Sequence, residues 1–196
     1  MGKLAIKGGV PVRKKSFPAW PIYSNREIEE FIDVLKSRKW NRWEGTKVIE
    51  FENRFSRYNS TRYGIAVANG TAALEISLKA GGVGPGDEVI VPAFTFVATA
   101  TAVLQMNAIP VFADIDRKTM NLDPDSVLQK INKKTKAIIP VHLFGLPAEM
   151  DRLQEICEDM DLYLIEDACQ AHGAEYKGRK VGSLGIAAAF SLYPTK

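Results

Sequence analysis

LYLIED, residues 162–167, is the stretch that most directly indicates the fold. Its first four residues are apolar without alternation, which is typical of a strand buried on both faces, and two carboxylates follow at once. Segments with helical periodicity lie at 71–80, about 95–106, 124–132 and 148–160. Buried strands joined by helices predict an α/β fold, with a mainly parallel sheet between two helical layers. Four similar apolar runs come earlier in the chain: YGIAVA (63–68), DEVIVP (87–92), IPVFAD (109–114) and KAIIPVHL (136–143).

The beginning of the chain has a different character. Residues 1–23 are rich in glycine and proline, which predicts an extended arm. Ser24 and Glu27 then have the spacing of a capping box before an apolar helical stripe, and a second helix is predicted near 47–58. We therefore expect an arm over residues 1–23 and one large α/β domain over residues 24–196.

Composition argues against several classes of function. The chain has 26 basic and 23 acidic residues, and its one basic cluster, Arg13 to Lys15, is too short to predict a nucleic-acid surface. The two cysteines, Cys157 and Cys169, lack the spacing of metal ligands, so we expect no metal site and a reducing, cytoplasmic setting. The first residues lack the apolar core of a signal peptide and no run reaches transmembrane length, so we expect no membrane partner.

Ligands of parallel α/β sheets bind beyond the carboxyl ends of the strands. NGTAAL (69–74) follows the first apolar run as a glycine turn that opens a helix, where free backbone N–H groups form either a phosphate site or a simple turn. The glycine cluster GGVGPG (81–86) precedes a strand, so it does not match a dinucleotide fingerprint, and no GxxxxGK[ST] loop occurs. These patterns argue against NAD and ATP enzymes.

Two further strand ends carry candidate ligand-binding residues. Asp167 and Glu166 point to opposite faces of an extended strand, so one of them is expected to face the site. A buried carboxylate is costly without a cation, so Asp167 is either a helix cap or salt-bridge partner, or it holds a positive charge on a ligand. Phe96 is either a core residue or a cover for a flat ligand. His142 and His172 lack partner spacing, and we expect structural roles for them.

AFSLYPTK (189–196) leads from a strand-like run to Ser191, whose hydroxyl suits an anion, and to Lys196 after a proline-stiffened turn. A phosphate turn, an aromatic plate, a carboxylate for a cation and an amine nucleophile together suit pyridoxal phosphate. In such enzymes a lysine bonds the cofactor covalently and a carboxylate keeps the pyridine ring protonated. From the residues alone, this is one hypothesis beside the structural interpretations given above.

Five motifs, NGTAAL, VPAFTFVATA, PVHLFG, IEDACQAHGA and FSLYPTK, resemble in order and spacing the DegT/DnrJ/StrS family of sugar aminotransferases. The resemblance implies the aspartate-aminotransferase-like fold (fold type I), a homodimer and pyridoxal phosphate as the cofactor. It also implies a role for each candidate residue. Those roles are the Schiff-base lysine for Lys196, the ring-nitrogen partner for Asp167, the phosphate turn for Gly70, Thr71 and Ala72 with Ser191, stacking on the ring for Phe96, and the neighbour of the phenolic oxygen for Gln170.

The reaction that the resemblance implies is transfer of an amino group from glutamate or glutamine to a nucleotide-linked keto sugar. The nearest alternatives are transfer to a keto-cyclitol of the scyllo-inosose type and aminohydroxybenzoate synthesis. FPAWP (17–21) and residues 98–112 also resemble the family branches that carry out these two reactions. Sugar dehydratase relatives replace the lysine, so Lys196 argues against a dehydratase. A non-enzymatic regulator on the same scaffold would not need the lysine–aspartate pair, so Lys196 and Asp167 together argue against a regulator. Family members continue past this lysine, so we expect the chain to be an N-terminal half that lacks the small domain.

Overall fold

The computed structural model describes residues 2–196, which divide into two units. The first unit runs to Trp40, includes Thr195 as well, and contains a 3-10 helix, Ala5–Lys7, and helix α1, Asn25–Ser37. Ser24 is the N-cap of α1, and its backbone N–H donates to the Glu27 carboxylate at 2.8 Å. This helix start therefore follows the capping-box spacing of the sequence.

Residues 41–194 contain the sheet and its helices. The helices are α2 (Lys47–Tyr58), α3 (Gly70–Ala80), α4 (Ala98–Gln105), α5 (Pro124–Lys130), α6 (Met150–Met160) and a 3-10 helix (Leu143–Gly145). The strands are β1 (Glu88–Pro92), β2 (Ile109–Ala113), β3 (Thr135–Ile138), β4 (Tyr163–Asp167), β5 (Glu175–Tyr176), β6 (Arg179–Lys180) and β7 (Ala187–Ala189). No helix within residues 2–196 combines the length and apolar character needed to cross a bilayer.

Five strands form one sheet in the order β2-β1-β3-β4-β7, and every neighbouring pair is parallel. Successive side chains of β1 enter different helical layers. Val89 and Val91 pack in the cluster that includes residues of α3 and α4, whereas Ile90 packs in the cluster that includes residues of α5 and α6. Because side chains alternate across a strand, this division makes the unit an α/β/α sandwich and confirms the predicted fold class.

The prediction of a strand at 63–68 is wrong. This segment has no regular secondary structure and pairs with no strand within residues 2–196. The Ala66 N–H instead donates to the buried Glu52 carboxylate at 3.0 Å, and Arg42 also binds that carboxylate at 3.0 Å. The Arg42 and Ala66 hydrogen bonds hold the pKa of Glu52 below its ordinary value despite burial. An apolar run predicts a strand from local sequence, but the segment is a strand only when it forms backbone hydrogen bonds with a neighbouring strand.

The β5–β6 hairpin was not predicted from the sequence. Its two strands are two residues long and pair antiparallel across Lys177 and Gly178. Both turn residues have positive φ, 50° and 79°, as a type I′ turn requires. The Lys-Gly pair was the available signal, but strands this short carry no periodicity.

Candidate active site

The order of the strands indicates where, at the carboxyl ends of the parallel strands, a ligand is expected to bind. The chain passes from β1 to β2 on one side and then continues with β3 on the other side of β1. Crevices at such switch points, outside the carboxyl ends of parallel strands, are the usual ligand sites of open α/β sheets. The candidate residues follow β1, β4 and β7 and begin α3, so they lie along this edge.

Asp167 ends β4 with its side chain toward the layer of α3 and α4, and it is 5% exposed. Its Oδ2 accepts a hydrogen bond from the Thr99 hydroxyl at 2.8 Å, and its Oδ1 accepts the Cys169 N–H at 3.2 Å. No helix begins at Asp167 and, within residues 2–196, no cationic side chain forms an ion pair with it. The helix-cap and salt-bridge interpretations are therefore wrong, and a buried carboxylate without a cation remains.

Glu166 points to the opposite face of β4, as strand geometry predicts. Its Oε2 lies 2.9 Å from Nε2 of His142, whose Nδ1 accepts the Ala148 N–H at 3.1 Å. That bond assigns the ring proton to Nε2, so His142 donates to Glu166. Three backbone N–H groups also donate to the carboxylate, each at 2.7 Å: those of Gly182, Leu184 and Gly185. Both side chains are occupied structurally, which agrees with the role expected for His142.

The N-terminus of α3 has the features of an anion site. The Asn69 side chain caps the helix by accepting the Ala72 N–H at 2.9 Å. The N–H groups of Gly70 and Thr71 donate to no acceptor within residues 2–196. Because these groups and the helix dipole favour negative charge, Gly70 and Thr71 are the available anion donors, whereas the Ala72 N–H already has a protein partner.

Gly70 brings this turn against two other candidate segments. A Cβ built on Gly70 would lie 2.8 Å from Sγ of Cys169 and 3.0 Å from Cβ of Ser191. Only glycine permits so close an approach. The Ser191 Oγ accepts the Tyr193 N–H at 3.3 Å, which leaves its hydroxyl proton to donate. The structure therefore brings Ser191 beside the predicted phosphate turn.

Lys196 follows a turn in which its backbone N–H donates to the Tyr193 carbonyl at 2.9 Å, and its side chain is exposed. Burial and the Asp167 carboxylate raise the pKa of the Cys169 thiol, and the positive charge of Lys196 opposes that rise. Burial and the same Lys196 charge lower the pKa of His172. The charge of Lys196 therefore acts on Cys169, whose backbone N–H binds the Asp167 carboxylate.

Phe96 and Gln170 lie at the border of the site. Phe96 follows β1 and is 67% exposed, so its interpretation as a core residue is wrong. The Gln170 Oε1 accepts the Phe144 N–H at 3.1 Å. Because Oε1 accepts this bond, the NH₂ group of the amide is available to donate to a ligand oxygen.

Thr95 and Thr99 are polar residues of this region that the sequence did not reveal. Their hydroxyl oxygens lie 2.9 Å apart, and Thr99 binds Asp167. The available signal was their spacing of four residues, which places two side chains on one side of a helical turn. Two threonines with this spacing in VPAFTFVATA are equally compatible with a helix that has no functional role, so the spacing alone does not indicate a site.

The fold and the site together define an α/β protein whose described residues offer donors for an anion, a buried carboxylate without an ion-pair partner and a lysine, all after the carboxyl ends of the strands or at the start of α3. The chain belongs to the DegT/DnrJ/EryC1/StrS aminotransferase family, whose model matches residues 21–196. This match confirms the resemblance carried by the five motifs.

Relatives support the same assignment. The chain is 43% identical to L-glutamine:2-deoxy-scyllo-inosose aminotransferase from Streptomyces kanamyceticus, over 99% of this chain and 47% of the relative. It is 44% identical to 3-amino-5-hydroxybenzoate synthase from Amycolatopsis mediterranei, over 90% of this chain and 45% of the relative. The PLP form of Spr1654 from Streptococcus pneumoniae superposes with a TM-score of 0.84 at 35% identity, over 90% of this chain and 48% of that one. The chain thus spans about half the length of the curated relatives it matches.

Proposed function

We propose that the protein is a pyridoxal-phosphate-dependent aminotransferase and that Lys196 bonds the cofactor. The observation that carries the proposal is the buried Asp167 carboxylate, which has no cationic partner within residues 2–196. A buried carboxylate is costly unless a cation meets it. A protonated pyridine nitrogen is such a cation.

The other residues of the edge fit the same cofactor. The free N–H groups of Gly70 and Thr71 and the Ser191 hydroxyl suit its phosphate, and the Ser191 side chain packs against Gly70. Phe96 offers an exposed ring for stacking, and the free amide donor of Gln170 suits the phenolic oxygen. Ala72 would contribute by shaping the turn, because its N–H is donated to Asn69.

Each residue then has a defined task. Bound pyridoxal phosphate supplies a carbon that accepts the amino group and a ring that takes up electrons from a broken C–H bond. Asp167 Oδ holds a proton on the ring nitrogen through a charge-assisted hydrogen bond. Lys196 Nζ would take the proton from the α-carbon of the amino donor and, as a general acid, would give it to the cofactor carbon that receives the amino group. The donors at Gly70, Thr71 and Ser191 hold the phosphate during this exchange.

For the substrates, we propose glutamine or glutamate as the donor and a keto-cyclitol as the acceptor. The support is the 43% identity to a glutamine-dependent 2-deoxy-scyllo-inosose aminotransferase over nearly the whole chain. A nucleotide-linked keto sugar is the second candidate, because the FSLYPTK motif resembles the sugar enzymes of the family. The homodimer, the cytoplasmic location, the arm over residues 1–23 and the large domain over 24–196 stay predictions.

Two experiments on the full-length protein test the proposal. Borohydride reduction followed by peptide mapping is expected to find the cofactor mass on Lys196, and Lys196→Ala is expected to lose it while the matched variant Lys180→Ala keeps it. A label on another lysine would refute the assignment. Half-reactions followed by absorbance then separate the acceptors: glutamine converts the bound cofactor to its amino form, and each candidate ketone is tested for restoring it. Restoration by a nucleotide-linked keto sugar alone would refute the cyclitol assignment and leave the aminotransferase standing.

A further inference from the structure

We infer that Thr99 is a positioning residue that orients the Asp167 carboxylate and the loop carrying Phe96 together. The inference rests on the proposed function, because these two residues are proposed to contact the ring of the cofactor. Thr99 itself is fully buried in the first turn of α4, so it acts through its neighbours and not by touching the ligand.

The hydrogen bonds of Thr99 have a fixed direction. A threonine hydroxyl has one proton, and an ionised carboxylate can only accept. Thr99 therefore spends its proton on Asp167 Oδ2, at 2.8 Å. The contact of 2.9 Å between the Thr95 and Thr99 hydroxyl oxygens must then be donated by Thr95. The result is a chain of donors from Thr95 through Thr99 to the carboxylate, in which each bond polarises the next.

The same residue closes the turn that carries Phe96. The Thr99 backbone N–H donates to the Phe96 carbonyl at 3.1 Å, and its side chain binds that of Thr95, the residue before Phe96. Thr99 therefore holds the loop both at the Thr95 side chain, just before Phe96, and at the carbonyl of Phe96 itself. A shift of Thr99 would move the loop and the carboxylate at once.

The Asp167 carboxylate is held less tightly at Oδ1 than at Oδ2. The Cys169 N–H binds Oδ1 at 3.2 Å, which is a longer contact than the one that Thr99 makes to Oδ2. Without the Thr99 hydroxyl, the Asp167 carboxylate would lose the shorter of these two hydrogen bonds. The carboxylate would then be free to rotate away from the orientation in which it meets a ring nitrogen.

The test compares three variants of the full-length protein: Thr99→Val, which is isosteric and lacks the hydroxyl, Thr99→Ser, which keeps it, and Thr101→Val. Thr101 lies on the same helix, and its hydroxyl donates only to the Ala98 carbonyl at 3.4 Å. The readouts are the dissociation constant for pyridoxal phosphate, the pH midpoint of the visible absorbance of the bound cofactor, and kcat and KM for the amino donor.

We expect Thr99→Val to weaken cofactor binding about tenfold, which corresponds to loss of one hydrogen bond to a charged group. We also expect its absorbance midpoint to move to higher pH, because a less positive ring opposes protonation of the lysine nitrogen less strongly. The value of kcat falls while KM for the donor stays close to wild type. Thr99→Ser keeps affinity and midpoint within about twofold of wild type, because it retains the charge-assisted bond, and Thr101→Val leaves both unchanged.

Four outcomes would overturn the inference. A Thr99→Val protein with wild-type affinity and midpoint removes the positioning role, and equal losses in Thr99→Ser and Thr99→Val reduce Thr99 to a packing residue. If wild type fails to bind pyridoxal phosphate, the proposed function fails and this inference fails with it. If Thr99→Val does not fold, Thr95→Val provides the test. Loss of the donor to Thr99 is expected to raise the pH midpoint by a smaller amount, and an unchanged midpoint would contradict the chain of donors from Thr95 through Thr99 to Asp167.

Discussion

His142 donates a hydrogen bond from Nε2 to Oε2 of Glu166 at 2.9 Å, and neither side chain is exposed to solvent. Burial alone would raise the pKa of Glu166, but hydrogen bonds from His142, Gly182 and Gly185 outweigh it, so the pKa lies below the ordinary value. Glu166 also accepts the N–H groups of Gly182, Leu184 and Gly185, and these bonds link the strand that ends in Asp167 to the loop before β7, which leads to Ser191. Structure on one face of β4 thus supports the candidate site on the other.

Replacing Glu166 is expected to destabilise the protein strongly. Glu166→Ala leaves the donors of Gly182, Leu184 and Gly185 buried without an acceptor, and breaking a buried pair by removing one partner costs about 3–5 kcal/mol. Urea denaturation measures the loss. Asp125→Asn is the matched control, since it breaks the exposed Asp125–Arg152 pair and is expected to change little. Equal losses in the two variants would contradict the structural role of the buried pair.

Acid is expected to remove the same contribution in wild type. The pKa of Glu166 in the folded protein lies below its ordinary value of 4.5, so the folded state takes up this proton less readily than the unfolded chain. The contribution is therefore complete above pH 4.5 and is lost as the pH falls through the folded pKa. Stability measured against pH should fall less steeply in this acidic range for Glu166→Gln. Parallel curves for the two proteins would show that another group is responsible.

Gly70→Ala tests the close approach at the start of α3. The new Cβ would meet Sγ of Cys169 at 2.8 Å and Cβ of Ser191 at 3.0 Å, so the turn or the Ser191 segment must move. We expect overpacking to cost about 1–3 kcal/mol and affinity for pyridoxal phosphate to fall as well. Gly84→Ala is the control, because nothing lies within 4 Å of its added Cβ. Unchanged affinity in Gly70→Ala would separate this turn from the phosphate site.

Phe96→Ala tests whether the exposed ring serves a ligand. A side chain that is mostly exposed contributes little to a core, so stability without cofactor is expected to stay near wild type. Loss of stacking should weaken cofactor binding about two- to tenfold. Phe94→Ala, on the same loop and also exposed, is expected to bind the cofactor normally. If Phe94→Ala and Phe96→Ala weaken binding alike, the effect belongs to the loop as a whole.

Much of the architecture follows from the order of apolar runs along the chain. DEVIVP, IPVFAD and LYLIED each contain a strand of the parallel sheet, and KAIIPVHL overlaps β3, which begins one residue earlier at Thr135. Burial between two layers explains the apolar runs of β1, β3 and β4, whereas β2 is an outer strand in which Ile109 and Phe112 are 47% and 52% exposed. The opposite directions of Glu166 and Asp167 follow equally from the alternation of side chains along a strand. YGIAVA has the same local pattern but no neighbouring strand within residues 2–196, so its state depends on a partner that periodicity does not encode.

The sequence by itself determined the family and the candidate cofactor residues, because motifs such as NGTAAL and FSLYPTK carry their chemistry in residue type and order. Only the tertiary structure decided how those residues are held. Thr99 and Asp167 are 68 residues apart, and Gly182 and Glu166 meet across a loop. Such contacts depend on which strands become neighbours and on the direction of each hydrogen bond. Local sequence specifies neither of these, because both arise only when the separate layers pack together.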